Sequence, residues 1–323
     1  MKKSKDMVKS LAPESREARD AVPRFDFDLS SRWVSGIPYE VAFWRSYYRN
    51  KGSRNDLLSW SQYGRECSLD NFDVAAFVDG LNREDPVIAD VGCALSYMFS
   101  DIIGGRKREV TYVDPLAPHY NRILDDYSLP YPRITFGMGE TLSLLFPRDS
   151  VSFIHIRNAL DHSVRPMMVV WQALMCLHEG GVLYLNHKPN EAEHEAYIGF
   201  HQYNVDCQDG RLVIWNKEER IDVGDVLSGY ADVEVSVTGE GRIVGVITKR
   251  ADIPSDHPAS RESGMYAAGM LETLLTYFHT APHAISYQTR RGAFSLGHGF
   301  MRMIPGGMVR KIKQIITGKK PKM

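Results

Sequence analysis

No stretch of this 323-residue chain is apolar over the roughly 18 residues a membrane-spanning helix requires, so no transmembrane segment is expected. Nor does an apolar run of signal-peptide type follow Met1, which predicts that no export signal is present. Cysteine is scarce. Cys67, Cys93, Cys176 and Cys207 lie far apart and form no CxxC pair, a pattern expected of reduced thiols in a cytoplasmic protein. Acidic residues stop at Glu272. The 51 positions beyond it hold Arg290, Arg291, Arg302, Arg310, Lys311, Lys313, Lys319, Lys320 and Lys322 and no acid. The chain carries 39 basic and 40 acidic residues in all, so its first 272 positions are net negative by ten charges. An acidic body with a basic tail predicts that the tail contacts something anionic, or else that it is simply a solvated terminus.

What is present is ordinary for a globular protein, with 43% hydrophobic and 24% charged residues. The length allows one large α/β domain with appendages, or two small domains. The informative stretch is Pro86-Val-Ile-Ala-Asp-Val-Gly-Cys-Ala-Leu-Ser96, a buried-strand pattern that ends in an acid, a glycine and small residues. Val110-Thr-Tyr-Val-Asp114 follows as a second strand that ends in an acid. Strand, small-residue loop, helix, strand and acid is the order in which a doubly wound sheet builds a pocket for a ribose and its purine. The loop lets a ligand approach the backbone, and the second acid accepts from ribose hydroxyls.

Further strands are expected at 87–91, 110–113, 133–136, 151–156 and 181–186, the last after a helix that stops on the glycines of Leu177-His-Glu-Gly-Gly181. Alternation over Ala231–Thr238 and again over Arg242–Lys249 predicts a terminal hairpin. Residues 1–30 read as a disordered or loosely structured lead, and 31–85 as a helical segment lying over the sheet edge. Within that segment, Val41, Phe43, Trp44, Tyr47 and Tyr48 recur at helical spacing, with Ser35 and Pro38 as start signals. A short helix is expected over 70–81, capped by Asp70. Residues 251–323 read as a linker, a helix over 265–280, and a short basic helix with Met308, Val309, Ile312, Ile315 and Ile316 on one face.

Over roughly residues 86–250 the chain resembles the class I S-adenosylmethionine-dependent methyltransferases, with an insertion at 188–230 covering the substrate. The resemblance implies an α/β fold: a doubly wound, Rossmann-like, seven-stranded sheet with a terminal antiparallel hairpin. The family's first motif, Asp/Glu-x-Gly-x-Gly-x-Gly, reads here Asp90-Val-Gly92-Cys-Ala94-Leu-Ser96, with two glycines replaced by small residues. It implies S-adenosylmethionine as cofactor, held by Asp90, Gly92, Ala94, Ser96 and the ribose acid Asp114. Phe136-Gly-Met-Gly139-Glu140 resembles the segment whose acid takes the adenine amine. Phe146 to His162 resembles the strand-four block, with Arg157 and Asn158 beside the cofactor. Gly36 to Trp44, Gly199 to Asn204 and Ile214-Trp-Asn216 are similar to a bacterial subgroup associated with surface-polysaccharide biosynthesis.

That resemblance implies O-methylation of a sugar hydroxyl in a bacterial glycan or glycoconjugate, lipid-linked acceptors included. A hydroxyl nucleophile needs a proton acceptor, and histidine suits neutral pH. His162 after the fourth strand and His187 after the fifth are the candidate bases, with Asp161 orienting or accepting; His155, inside the fourth strand, reads as an interior residue. Tyr197, His201, Tyr203 and Trp215 are the rings expected to stack on a sugar. No metal site is assigned. His187, His194 and His201 recur every seven residues among glutamates, but on one helix they would lie about 10 Å apart, too far to share an ion without a fold-back.

Three alternatives stand beside this reading. A nicotinamide oxidoreductase predicts Gly-x-Gly-x-x-Gly, yet the next glycine after Gly92 is Gly104. A nucleic-acid methyltransferase needs basic groups and exposed rings near the cleft, whereas here basic charge is segregated, so no nucleic acid is expected. A non-catalytic methyltransferase-fold partner in a biosynthetic assembly is compatible with the lost glycines. The basic tail could rest on anionic lipid, which predicts a cytoplasmic protein associated with the membrane face.

Overall fold

A computed structural model describes residues 25–81, 83 and 85–280. Two compact units divide the chain, Met1–Leu274 and Leu275–Met323, and apart from the end of its last helix the second lies outside the described residues. So do most of the expected loose lead, the basic helix over 308–316 and the remainder of the tail. Among the described residues no helix is long and apolar enough to cross a membrane.

The sheet of the first unit has seven strands: β1 (Ile88–Val91), β4 (Val110–Asp114), β5 (Thr135–Phe136), β6 (Val151–Arg157), β7 (Leu177–His187), β11 (Ala231–Val237) and β12 (Ile243–Lys249). Their spatial order is β11-β12-β7-β6-β1-β4-β5. The first five in sequence are parallel, while β12 runs antiparallel to β7 and β11 antiparallel to β12. This order with its antiparallel end is the class I methyltransferase fold. Two two-residue strands, β2 (Ile102–Ile103) and β3 (Arg106–Lys107), form a separate ribbon.

Alternating side-chain direction along buried strands explains how the sheet holds both layers. On β6, Phe153 faces one core with Ile88, Phe99 and Val182, together with Val74 and Val78 of helix α3 (Val74–Gly80). Ile154 and Ile156 face the other core, with the wholly buried helix α5 (Pro166–Cys176). Helix α4 (Ala117–Asp126) follows β4 and buries Tyr120, Ile123 and Leu124.

Local chemistry moved several boundaries. Helix α1 spans Phe27–Arg49, so it begins inside the lead expected to run loosely to residue 30. Its cap is Asp26, whose carboxylate accepts from the Leu29 amide at 2.9 Å; Pro38 lies within the helix and does not start it. Helix α2 (Lys51–Trp60) follows directly. Asp73, not Asp70, caps α3, accepting from the Ala76 amide. Asp70 instead accepts from Tyr184 and Asn186. The α5 helix stops at Cys176 and β7 starts at Leu177, with Gly180 at positive φ inside the strand, so the glycines mark an irregularity rather than a helix stop. Helix α8 runs Pro258–Thr280 and takes up part of the expected linker.

The insertion at 188–230 holds a short helix α6 (Glu191–His194), an antiparallel sheet of β8 (Asn204–Gln208), β9 (Arg211–Trp215) and β10 (Arg220–Asp222), and helix α7 (Val223–Leu227). Asp209-Gly210, both at positive φ, makes the tight turn between β8 and β9. Val205, Leu212 and Ile214 from this small sheet join the core beneath the large one. Much of the insertion is therefore packed body.

Candidate functional site

In an open parallel sheet, ligands bind at the carboxyl ends of the strands where the chain order reverses. Here β1 leads outward to β4 and β5, and β6 returns on its other side, so the reversal lies between β1 and β6. The residues leaving these two strands meet there: a Cβ on Gly92 would overlap the Cβ of Ala159. Gly92 is at φ 71°, a conformation suited to glycine. Ala94 and Tyr97 in the same loop adopt φ 46° and 45° without that freedom. The left-handed turn that the lost glycine would ease is thus kept, held by neighbours. Tyr48 of α1 donates to the Leu95 carbonyl at 2.7 Å, and Ser96 donates to the Cys93 carbonyl at 3.2 Å.

Asp114 ends β4 and is buried. Its Oδ2 accepts from the Ala94 amide at 3.0 Å and its Oδ1 from the Leu116 amide at 2.8 Å. Burial pushes its carboxyl up to about 7, with the two amides pulling the other way. Asp90 lies 2.7 Å from His155 Nδ1 through one oxygen; Asp90 Oδ2 and His155 Nε2 are both buried without a hydrogen-bond partner. His155 is therefore interior, as its strand position implied, but only half satisfied.

Glu140, expected to take the adenine amine, has one of its two oxygens engaged within the fold. Its Oε1 accepts from the Val164 amide at 2.6 Å and the Arg165 amide at 3.3 Å, which commits that oxygen to the first turn of α5. Gly139 lets this segment approach Val169 of α5, where a Cβ would come within 2.8 Å. Asn158, at φ 48°, accepts through Oδ1 from the Lys188 amide and from Arg242, both at 3.0 Å. Arg157 is half-buried at the end of β6; burial, then the Arg157 charge, lowers the pKa of neighbouring Arg242.

The short turn Leu160–His162 leaves β6 and carries Asp161 and His162. It meets His201, on the loop that precedes β8. Asp161 Oδ2 lies 3.0 Å from His201 Nδ1 and 3.5 Å from His162 Nε2, and the two ring nitrogens lie 3.1 Å apart. His187, at the end of β7, stands behind, with Nδ1 3.7 Å from Asp161 Oδ1. Burial alone would raise the Asp161 carboxyl, but the His162 charge and the attractions of His187 and His201 hold it well below the usual carboxylate range. Burial lowers His187 against the pull of Asp161. Burial also opposes His201, yet the Asp161 contact raises it above an ordinary imidazole.

Of the predicted bases, His187 is 1% exposed, whereas the His162 side chain is 25% exposed and can meet a substrate. His194 is exposed on α6 and joins no cluster, so the seven-residue recurrence has no common helix. Among the expected stacking rings, Tyr203 and Trp215 are 1% and 3% exposed, and neither offers a face to a sugar. Tyr203 sits in the core, with its hydroxyl donating to Glu219 at 2.9 Å. Tyr197 is half-buried beneath Lys217 Nζ at 4.2 Å from its ring centre.

Trp33 was not among the expected site residues, and Phe200 entered only within the Gly199–Asn204 segment, without a role. Trp33 donates through Nε1 to the His162 carbonyl at 2.6 Å and stacks on Phe200 at 4.9 Å between ring centres. Gly36 permits this approach, since a Cβ there would come within 2.8 Å of the Phe200 ring. Helix α1 therefore fixes the histidine turn as well as the loop that leaves β1.

No family model matches the chain, and no curated protein matches it. Solved structures do. A SAM-dependent methyltransferase from Aquifex aeolicus is 15% identical, covering 56% of this chain and 90% of its own, at a TM-score of 0.35. An rRNA methylase from Streptococcus thermophilus is 11% identical over 57% of this chain and 100% of its own, at 0.32. A DhpI–SAH complex is 14% identical over 68% of this chain and 97% of its own, at 0.38. What places the chain in the methyltransferase fold is its strand order and antiparallel end.

Proposed function

We propose that this chain is an S-adenosylmethionine-dependent methyltransferase acting on a hydroxyl oxygen, that of a sugar in a bacterial glycan or glycoconjugate. The observation that carries the reading is the position of Asp161 and His162 on the exit of β6, where His201 joins them from the loop before β8, two residues past the contact between Ala159 and Gly92 at the sheet's reversal. A proton-accepting cluster thus adjoins the place where a nucleoside cofactor would lie.

The residues at the strand ends fit that cofactor. Asp90 Oδ2 is a buried carboxyl oxygen without a partner, suited to an ammonium group. Each oxygen of Asp114 accepts one amide and keeps a second lone pair for a ribose hydroxyl. When bound, the cofactor supplies an electrophilic methyl on a sulfonium. The protein's part is alignment and exclusion of water, with one proton to remove. As the methyl passes to the acceptor oxygen, the His162 ring would take the hydroxyl proton. Asp161 steadies the imidazolium so formed. The sugar and its glycan rest on the sequence resemblance of 36–44, 199–204 and 214–216. A lipid-linked acceptor, met at an anionic membrane face by the basic tail, extends the same reading; deletion of 302–323 should then abolish binding to anionic liposomes.

Calorimetric titration with S-adenosylmethionine and with NAD(H) tests the cofactor. Binding of the methyl donor alone, lost in Asp114→Ala, is the expected outcome; binding of neither ligand favours a non-catalytic partner protein. Transfer of a labelled methyl group to a glycoside pool as a base-stable ether tests the acceptor. A base-labile ester or a labelled nucleic acid would overturn it.

A further inference from the structure

We propose that Asp161, His162 and His201 hold a divalent cation of zinc or cobalt type, with one coordination position left for the acceptor's hydroxyl oxygen. The proposal rests on the reading of this pocket as the acceptor's place, and changes the proton's destination there from the His162 ring to water beside a cation that the ring helps to hold.

Proton accounting within the cluster is the first argument. Asp161 Oδ2, His162 Nε2 and His201 Nδ1 lie 3.0, 3.1 and 3.5 Å from one another. Among these described residues the three ligand-capable atoms are close enough to share one ion. Without one, a proton on His201 Nδ1 can point squarely at the carboxylate or at His162, not at both. A second proton on His162 Nε2 would face the first. Three lone pairs thus converge on a point where only one proton fits, and a cation satisfies all three.

Size and chemistry agree. An ion with bonds of about 2.0–2.2 Å in tetrahedral geometry sets its ligand atoms about 3.3–3.6 Å apart, so the triangle need open only by a few tenths of an ångström. Two imidazoles and a carboxylate are the borderline ligands such ions take, and three protein ligands with a fourth position open is the catalytic pattern rather than the structural one. The ligands are also held from outside. Gln202 donates its amide to the Asp161 carbonyl at 3.3 Å and its side-chain amide to the Gly199 carbonyl at 2.8 Å, bracketing His201. Trp33 holds the His162 carbonyl, and His187 stands 3.7 Å from the other Asp161 oxygen. Both histidine side chains are a quarter exposed, which leaves one side open.

With the ion bound, it acidifies the acceptor hydroxyl, whose proton leaves to water on that open side. The oxygen then attacks the methyl group and the C–S pair returns to sulfur. The seven-residue histidine recurrence contributes one ligand, His201; the others come from the strand-four block.

The test is titration of the metal-stripped full chain with Co2+, read by its visible ligand-field absorption, with donor affinity measured on the same samples. One equivalent should give intense four-coordinate bands that Zn2+ displaces. His162→Ala and His201→Ala should each weaken Co2+ binding by more than about 100-fold, the upper range for losing an outer-shell partner. His194→Ala should bind as the parent does. An unchanged thermal midpoint and unchanged donor affinity in His201→Ala would show that the variant is folded. A weak, non-saturating titration in a parent that binds donor overturns the cation and leaves the methyltransferase reading standing. Equal Co2+ affinity in His201→Ala also overturns it. Tight Co2+ binding in a chain that never binds donor supports the cation and removes the methyltransferase reading.

Discussion

Asp114 Oδ2 accepts the Ala94 amide at 3.0 Å, tying the end of β4 to the loop that leaves β1. The bond makes one carboxylate both a support for the loop and a candidate ligand for a ribose, and its buried setting raises its pKa from an ordinary 3.8 to about 7. Between those two values the folded protein retains a proton that the unfolded chain has released. This group's contribution to stability therefore falls as pH rises from about 4 to about 7, and is level above. A ligand that needs the ionised carboxylate follows the opposite course. Donor affinity should rise about tenfold between pH 6 and pH 8. Asp114→Asn should remove that dependence as well as most of the affinity; calorimetry at both pH values checks it, and a flat parent profile would sink the assignment.

The loop itself carries strain at Ala94. An L-residue in the left-handed region costs about 1–2 kcal/mol, and glycine in its place adds about 0.4–1 kcal/mol of unfolded-state entropy. Ala94→Gly should therefore leave stability unchanged or raise it by up to about 1.6 kcal/mol. Gly92→Ala should lower it by about 2–4 kcal/mol, because it adds both the same strain and an overlap with Ala159. Urea denaturation of the two variants separates them; equal effects would mean that the loop relaxes around either residue.

How much of this was legible in the sequence divides along physical lines. Apolar runs bounded by acids and glycines located β1, β4, β6 and most of β7, because burial on both faces imposes that composition, whereas alternation located the half-exposed β11 and its partner β12. The insertion's small sheet was missed although Asp209-Gly210 between alternating segments is a hairpin signal. Its Tyr203 and Trp215 looked like a ligand surface when they are buried, since periodicity says which residues share a face and not what covers that face. Asp90 and His155 became neighbours once β1 and β6 paired in parallel, a register that strand order implies. The meeting of His162 with His201, 39 residues apart through an irregular loop, left no trace in any period or motif.

Lys249 offers a test of which buried charge matters. It is 1% exposed, and its ammonium meets the carboxylates of Asp149 and Asp252 and the Leu177 carbonyl. The two acids are partly solvated, so Lys249→Met leaves them in contact with water and should cost about 1–3 kcal/mol. Asp149→Asn combined with Asp252→Asn strands a buried ammonium and should cost more, about 3–5 kcal/mol. Chemical denaturation at neutral pH ranks them, and a reversed ranking would mean that the lysine finds water on losing its partners.

Trp33 provides the test of whether α1 serves the histidine turn or merely covers it. Its indole both donates to the His162 carbonyl and stacks on Phe200, the residue next to His201. Trp33→Phe keeps the ring and removes the donor, which should cost about 1 kcal/mol of stability for an orphaned carbonyl. If the indole sets the angle of the turn, methyl transfer should fall by about tenfold in kcat, with KM for the donor unchanged, because the contacts proposed for the donor lie on Asp90 and Asp114. A fall in donor affinity with kcat intact would show the opposite, that α1 acts through the Leu95 carbonyl it holds by Tyr48. The split between kcat and KM therefore decides which of the two loops beneath α1 depends on it.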